Sequence, residues 1–221
     1  MALWRLRCST ALVAFITVRP YTARDLEQLI AVYKSAFAEP PWNEYVKCAS
    51  CNVEYGIVES QSPGPYCKKC NALLELTEYW SSEDIVQDME FALSQPDPIL
   101  LVAENSTGLA GFTWGYRLPR EKFPFLAGKI AEDTNYMDEI SVCGSKRLKG
   151  IATQLGSAYL ENARAQGMRE VVLRTDERNT ASMSLFWKLG FSGIPDPGNS
   201  RGSVYDPDFQ YRIYLKRALG G

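Results

Sequence analysis

Residues 142–152 read Val142-Cys143-Gly144-Ser145-Lys146-Arg147-Leu148-Lys149-Gly150-Ile151-Ala152. An alternating apolar stretch ends at Val142, a turn of small and basic residues follows, and a helical pattern opens at Gly150. The first N–H groups of a helix lack partners, its dipole is positive at that end, and small residues let a pyrophosphate come close. Arg147 and Lys149 add charge to such a cradle. Taken alone, R-x-x-G-x-A is a weak pattern, explained more simply as a strand-turn-helix corner whose glycine supplies a special backbone angle.

Outward from that corner, alternation predicts a strand from Tyr136 to Val142 and a hairpin of Ile99 to Glu104 with Leu109 to Arg117, joined around Asn105 to Gly108. Leu118 to Thr134 reads as an irregular loop. Thr22 and Asp25 form a capping box before a helical stripe of Leu26, Leu29, Ile30, Tyr33 and Phe37, which Pro40 and Pro41 end. Further helices are predicted from Ser81 through Leu93, from Gly150 to Gln166, and from Thr180 to Leu189. Strands are expected over Ala11 to Arg19, Glu170 to Thr175 and Tyr211 to Lys216.

The run Asn179-Thr-Ala-Ser182-Met-Ser-Leu-Phe186-Trp-Lys-Leu-Gly190-Phe191 is by itself an amphipathic core helix stopped by glycine. Placed after R-x-x-G-x-A, it resembles the second signature of the GNAT superfamily of acetyl-coenzyme A dependent N-acetyltransferases: Asn, a small residue at +3, an aromatic at +7, and Gly-Phe at +11 and +12. The resemblance runs from about residue 13 to 217, apart from an insertion. It implies an α/β (α+β) fold with a mixed, splayed central sheet flanked by helices, opened near Val142, with the pantetheine arm of acetyl-CoA in the gap. The carrier-binding residues it implies are Ile140, Ser141, Val142, Arg147, Leu148, Lys149, Gly150, Ile151, Ala152 and Thr153 at the cradle. From the second signature it adds Asn179, which can hydrogen-bond the arm, Ser182, which leaves room for it, and Phe186.

The chain contains no histidine, so carboxylates, tyrosines, water and thiolates must carry proton and metal chemistry. Exposing the lone pair of an alkylamine at pH 7 costs roughly 4.6 kcal/mol, which calls for a base. Glu139, with Asp138 behind it, is the candidate; either is equally explained as a solvated carboxylate, and strand alternation predicts opposite faces for the two. Backbone N–H groups near Ser141 and Val142 are expected to stabilise the oxyanion. Many members of the family resemble one another in carrying a tyrosine where this chain has Phe186, which cannot protonate the leaving thiolate; water, Tyr205 or Tyr211 are the substitutes. Cys143, with no histidine to activate it, reads as a small buried side chain.

Cys48-x2-Cys51 and Cys67-x2-Cys70, fifteen residues apart, match a structural zinc ribbon; two disulfides or a reduced loop are the competing readings. The stretch from Val46 to Leu76 has too few apolar residues for its own core. The resulting organisation is an extension at 1–12, an acetyltransferase domain at 13–217 and a ribbon insertion at 46–76. Ahead of the ribbon, Trp42 and Glu44 could wall the acceptor cavity, or Trp42 could pack on the ribbon. Twenty-four Lys and Arg against 26 Asp and Glu leave a net charge of −2, with no basic field for nucleic acid or membrane. Arg5 and Arg7 before a short apolar run faintly suggest targeting, but a cytoplasmic enzyme is expected. Its expected acceptor is a primary amine on a small molecule, polyamine-like or aminoglycoside-like, reached by direct transfer in a ternary complex. A peptide or protein amine, or a weakly catalytic acetyl-CoA binding module whose ribbon docks a partner, is the alternative; a homodimer is left open.

Overall fold

Thr22 and Asp25 start the first helix as a capping box requires, with the Thr22 N–H and hydroxyl each donating to Asp25 Oδ2 at 2.8 Å. The computed structural model describes residues 15–144 and 150–220. In chain order its elements are β1 (Thr17–Pro20), α1 (Leu26–Phe37), β2 (Val46–Cys48), β3 (Glu54–Tyr55), β4 (Leu76–Glu78), α2 (Ser82–Ser94) and β5 (Ile99–Asn105). There follow β6 (Gly108–Arg117), β7 (Thr134–Val142), α3 (Ile151–Ala165), β8 (Glu170–Asp176), α4 (Thr180–Lys188), β9 (Ser192–Gly193) and β10 (Arg212–Ala218). The 1–12 extension, the first residues of the strand expected from Ala11, and Arg147, Leu148 and Lys149 lie outside the described residues.

The main sheet runs β1-β5-β6-β7-β8-β10-β9 and is mixed, because β7 and β8 pair in parallel while their neighbours are antiparallel. Period-2 alternation on β6 sends Phe112, Trp114 and Tyr116 to the face covered by α1 and α2, where Leu29, Tyr33, Ile85 and Met89 meet them. The opposite face packs Leu173 and Leu215 beneath Leu155, Tyr159 and Phe186 of α3 and α4.

Two irregularities shape β7. Its register with β6 slips by one residue, from Glu139 opposite Trp114 to Met137 opposite Gly115, so Asp138 is the extra residue of a β-bulge. Gly115 permits this, since a Cβ there would collide with the Tyr136 carbonyl and the Tyr159 hydroxyl. Pairing of β7 with β8 stops at Met137 and Leu173, although both strands continue, to Val142 and Asp176. The sheet therefore splays from Asp138 onward, four residues before the expected opening at Val142.

Between α1 and α2 the chain forms a separate three-stranded sheet, β3-β2-β4. Its core is Cys48, Tyr55 and Cys67, flanked by partly buried Val46, Val53, Leu74 and Leu76. No helix among the described residues is long and apolar enough to cross a membrane.

Candidate functional site

The splay between β7 and β8 opens into a cavity of about 280 Å³. Met137, Asp138, Glu139, Ile140 and Ser141 form one edge, Leu173 to Asp176 the other, and Ser182 and Phe186 of α4 also reach it. The bulge corrects the expectation that Asp138 and Glu139 face opposite ways: both carboxylates line this cavity, because the inserted residue cancels one step of alternation. Burial pushes the Asp138 carboxyl up to about 6, although the indole N–H of Trp114 favours its charged form. Among the described residues that N–H makes no hydrogen bond of normal geometry. Glu139 lies well above the ordinary carboxylate range, first through burial and then through repulsion by Asp138, Asp88 and Glu44. Each keeps some surface open to the cavity itself.

Cys143 donates its N–H to Ala110 of β6 at 2.9 Å. Antiparallel alternation from that bond gives β6 the N–H groups of Ser141 and Glu139 and turns those of Val142 and Ile140 toward the splay. Val142 thus holds the expected position, while Ile140 takes the place anticipated for Ser141. The Cys143 thiol is buried, with the Ser35 hydroxyl 3.7 Å away, as the structural reading of that residue requires.

Gly150 precedes α3 with φ of 77°, a left-handed conformation that glycine adopts without strain. Gln154 makes the first intrahelical bond, to Gly150 O at 3.0 Å, which leaves the N–H groups of Ile151, Ala152 and Thr153 without helical acceptors. Asn179 caps α4, its Oδ1 accepting the Ser182 N–H at 3.1 Å, so its carbonyl end is engaged within the protein. Phe186 is buried edge-on against Phe191, with centroids 5.8 Å apart.

Tyr205 and Tyr211 do not line the cavity. The Tyr205 hydroxyl donates to Glu177 Oε2 at 2.6 Å beneath Arg201, and Tyr211 lies under Arg178 in a wider outer groove. The phenols that do line it are Tyr33 and Tyr136, both held protonated by burial. Tyr33 was visible in the sequence only as a member of the α1 stripe, where function leaves no mark.

The end of the cavity away from the sheet is closed by residues on either side of the small sheet. Trp42 packs on Phe37, with centroids 6.0 Å apart, and lines the cavity, as do Glu44 and Trp80. Trp80 Nε1 donates to Glu44 Oε2 at 2.8 Å, joining the chain that enters the small sheet to the chain that leaves it. Desolvation raises the Glu44 pKa. The wall reading of Trp42 and Glu44 fits these positions; sequence reasoning missed Trp80 and Asp88, which join the wall only through tertiary packing.

The Sγ atoms of Cys48, Cys51, Cys67 and Cys70 lie within 4.8 Å of one another. Cys48 to Cys70 is 4.0 Å and Cys51 to Cys67 is 3.6 Å. Tetrahedral zinc with bonds near 2.3 Å separates its sulfurs by about 3.8 Å, whereas a disulfide needs about 2.05 Å. The donor set and spacing fit a closed four-thiolate site. The Lys69 N–H donates to Cys67 Sγ at 3.4 Å, and Lys68 is drawn to Glu59 at 2.8 Å.

A mixed sheet splayed between parallel strands, with a helix N-terminus nearby and carboxylates in the opening, defines a fold built to hold an acyl carrier against an acceptor. The chain belongs to the acetyltransferase (GNAT) family, whose model matches residues 68–191. It is 32% identical over 116 residues to L-methionine sulfoximine/L-methionine sulfone acetyltransferase of Pseudomonas aeruginosa, a match spanning 51% of this chain and 62% of that protein. It is 38% identical over 56 residues to N-alpha-acetyltransferase 30 of Schizosaccharomyces pombe, spanning 25% of this chain and 37% of that protein. In fold it resembles the PaiA N-acetyltransferase of Thermoplasma acidophilum solved with coenzyme A, with a TM-score of 0.55, 16% identity, and coverage of 92% of this chain and 99% of that one.

Proposed function

We propose that the protein transfers an acetyl group from acetyl-CoA directly to a primary amine of a small molecule. The observation that carries this reading is the placement of Glu139 and Asp138 together in the splay, a cavity that also meets Trp42, Glu44 and Trp80. Residues 13–217 are then the acetyltransferase unit, with 46–76 its inserted ribbon and 1–12 an extension. Carrier pyrophosphate lies at the N–H groups of Ile151, Ala152 and Thr153, which have no helical acceptors, beside Gly150; Arg147, Leu148 and Lys149, which the motif adds to the cradle, lie outside the described residues. Ser182 and Phe186 border the pantetheine arm.

In the transfer step Glu139 takes the ammonium proton, directly or through water, and the amine nitrogen attacks the thioester carbon. Asp138 acts behind it by setting its charge. The carbonyl oxygen gains charge opposite the N–H groups of Ile140 and Val142. As the C–S bond breaks, the nitrogen of the tetrahedral intermediate gives its second proton to water and the released thiolate takes one from water; Tyr33 and Tyr136, which burial holds protonated, are weaker acids than the thiol and offer it hydrogen bonds, not the proton. Phe186 therefore does not by itself argue for an inactive binding module.

Cys48, Cys51, Cys67 and Cys70 would hold one zinc ion. With four protein ligands and no open position, it would supply folding energy to the ribbon rather than chemistry to the reaction. A screen of polyamines, aminoglycosides and methionine sulfone derivatives for acetyl-CoA dependent thiol release tests the reading. Peptide amines belong in the same screen, because the outer groove of about 620 Å³ beside Trp42 is roomy enough for a chain terminus. Thiol release with peptides alone would replace the small-molecule acceptor by a protein one.

A further inference from the structure

Three arginines border the cavity and its outer groove, and their partners differ. Arg174 Nη1 is 2.5 Å from Asp206 Oδ2. Arg178 grips both oxygens of Asp176, at 2.9 and 2.7 Å. Arg212, at the start of β10, lines both the inner cavity and the groove, yet among the described residues no carboxylate lies within ion-pairing distance of it. Its guanidinium carbon sits 4.4 Å over the Phe209 ring. Stacking of this kind fixes the plane of the fork and leaves its N–H edge available for a planar, bidentate partner.

The acids nearest in charge to Arg212 do not fill that role. Asp176 is already gripped by Arg178, and Glu44 accepts from Trp80 while its burial favours the neutral form. Further in, Asp138 and Glu139 form the negative end of the same cavity. The lining is thus polar in two senses, acidic at the splay and cationic at the mouth. A polyamine would place its distal ammonium against Arg212; a zwitterion would satisfy both ends.

We infer that the acceptor is an amine that also carries a carboxylate, as amino acids do, with the carboxylate held by the Arg212 guanidinium at the mouth and the amine directed inward to Glu139. This rests on the amine-acceptor reading above and narrows it. The test compares L-amino acids, L-methionine sulfone among them, with their decarboxylated amines, in thiol-release kinetics on the wild-type protein, Arg212→Gln and Arg212→Lys. The wild type is expected to prefer the amino acid to its matched amine at least tenfold in kcat/KM. Arg212→Gln is expected to cut that ratio at least tenfold, through KM rather than kcat, with Arg212→Lys recovering part of it as a point charge without the fork. Wild-type preference for the decarboxylated amines, or an Arg212→Gln loss that falls equally on both acceptor types, would overturn the carboxylate subsite while leaving amine transfer standing. No thiol release with either series, while another amine of the wider screen is acetylated, would overturn the subsite alone; no thiol release with any amine would overturn the amine-acceptor reading as well.

Discussion

On the sheet side of the cavity, Ser182 and Phe186 hang from a helix whose Met183 and Leu189 join a continuous core with Leu155, Leu173 and Phe191. On the ribbon side, Trp42, Glu44 and Trp80 stand at the foot of a three-stranded sheet whose buried side chains include two of the four cysteines. The first wall is held by burial, roughly 1.5–3 kcal/mol for each large apolar side chain. The second has little apolar area to set against an ordering cost of about 1–2 kcal/mol per backbone residue, and a structural zinc can supply on the order of 10–16 kcal/mol. On the proposed reading the difference separates the two sites energetically: the carrier site would depend on the domain core, the acceptor site on a metal clip.

The largest effect is expected at the sheet wall. Glu139→Gln removes the base and should lower kcat on the order of 10²–10⁴-fold, with acetyl-CoA affinity by calorimetry little altered. A fall in carrier affinity as large as the fall in kcat would remove Glu139 from the proton-transfer role. The ribbon wall comes next. Chelation, or Cys67→Ser, should release about one zinc per chain and reduce acceptor turnover much further than carrier affinity, because Glu44 and Trp80 are tied together at the ribbon's base. Equal losses of the two would erase the division between the walls, and elemental analysis finding no zinc in reduced protein would remove the clip.

At the carrier end, Gly150→Glu should weaken acetyl-CoA binding at least tenfold, about 1.4 kcal/mol, by placing a carboxylate at the cradle. Gly150→Ala suffers the same backbone strain without the charge, since φ is 77° and no described atom lies within 4 Å of a Cβ there. Matching losses in the two variants would reduce the cradle to a conformational requirement.

The pH profile sharpens the sheet wall further. Burial and Asp138 both raise the Glu139 pKa, so kcat/KM should climb as pH rises and Glu139 ionises. Asp138→Asn deletes one negative neighbour, ionisation becomes easier, and the rising limb should move to lower pH; a limb that stays in place would uncouple the two carboxylates. The smallest effect is expected from Phe186→Tyr, because water protonates the leaving thiolate with or without a phenol at position 186. Stopped-flow measurement of the acetyl step should show transfer retained or modestly raised, and complete loss in a folded, carrier-binding variant would mean that Phe186 has another role.

Local chemistry made much of this molecule legible from the sequence. The Thr22–Asp25 box, the helix over Leu26–Phe37, the hairpin of Ile99–Asn105 with Gly108–Arg117, and the glycines at 150 and 190 are set by capping, periodicity and positive φ within a few residues. Paired C-x-x-C spacing likewise announces four converging sulfurs, because the ligands of each pair are fixed by a short turn.

What tertiary structure alone decided lies in contacts between distant strands. The bulge at Asp138 exists because Gly115, more than twenty positions earlier, lets the Tyr136 backbone approach, and that single extra residue turns both carboxylates into the cavity. The Ile140 N–H, not that of Ser141, turns toward the splay because the Cys143 bond to Ala110 sets the parity of the strand. Trp80, Tyr33 and Arg212 carry no local signature, since each reaches the site only when its helix, ribbon or strand packs against the others. Sequence periodicity fixes which elements form; register and packing, which depend on partners far along the chain, fix where their side chains meet.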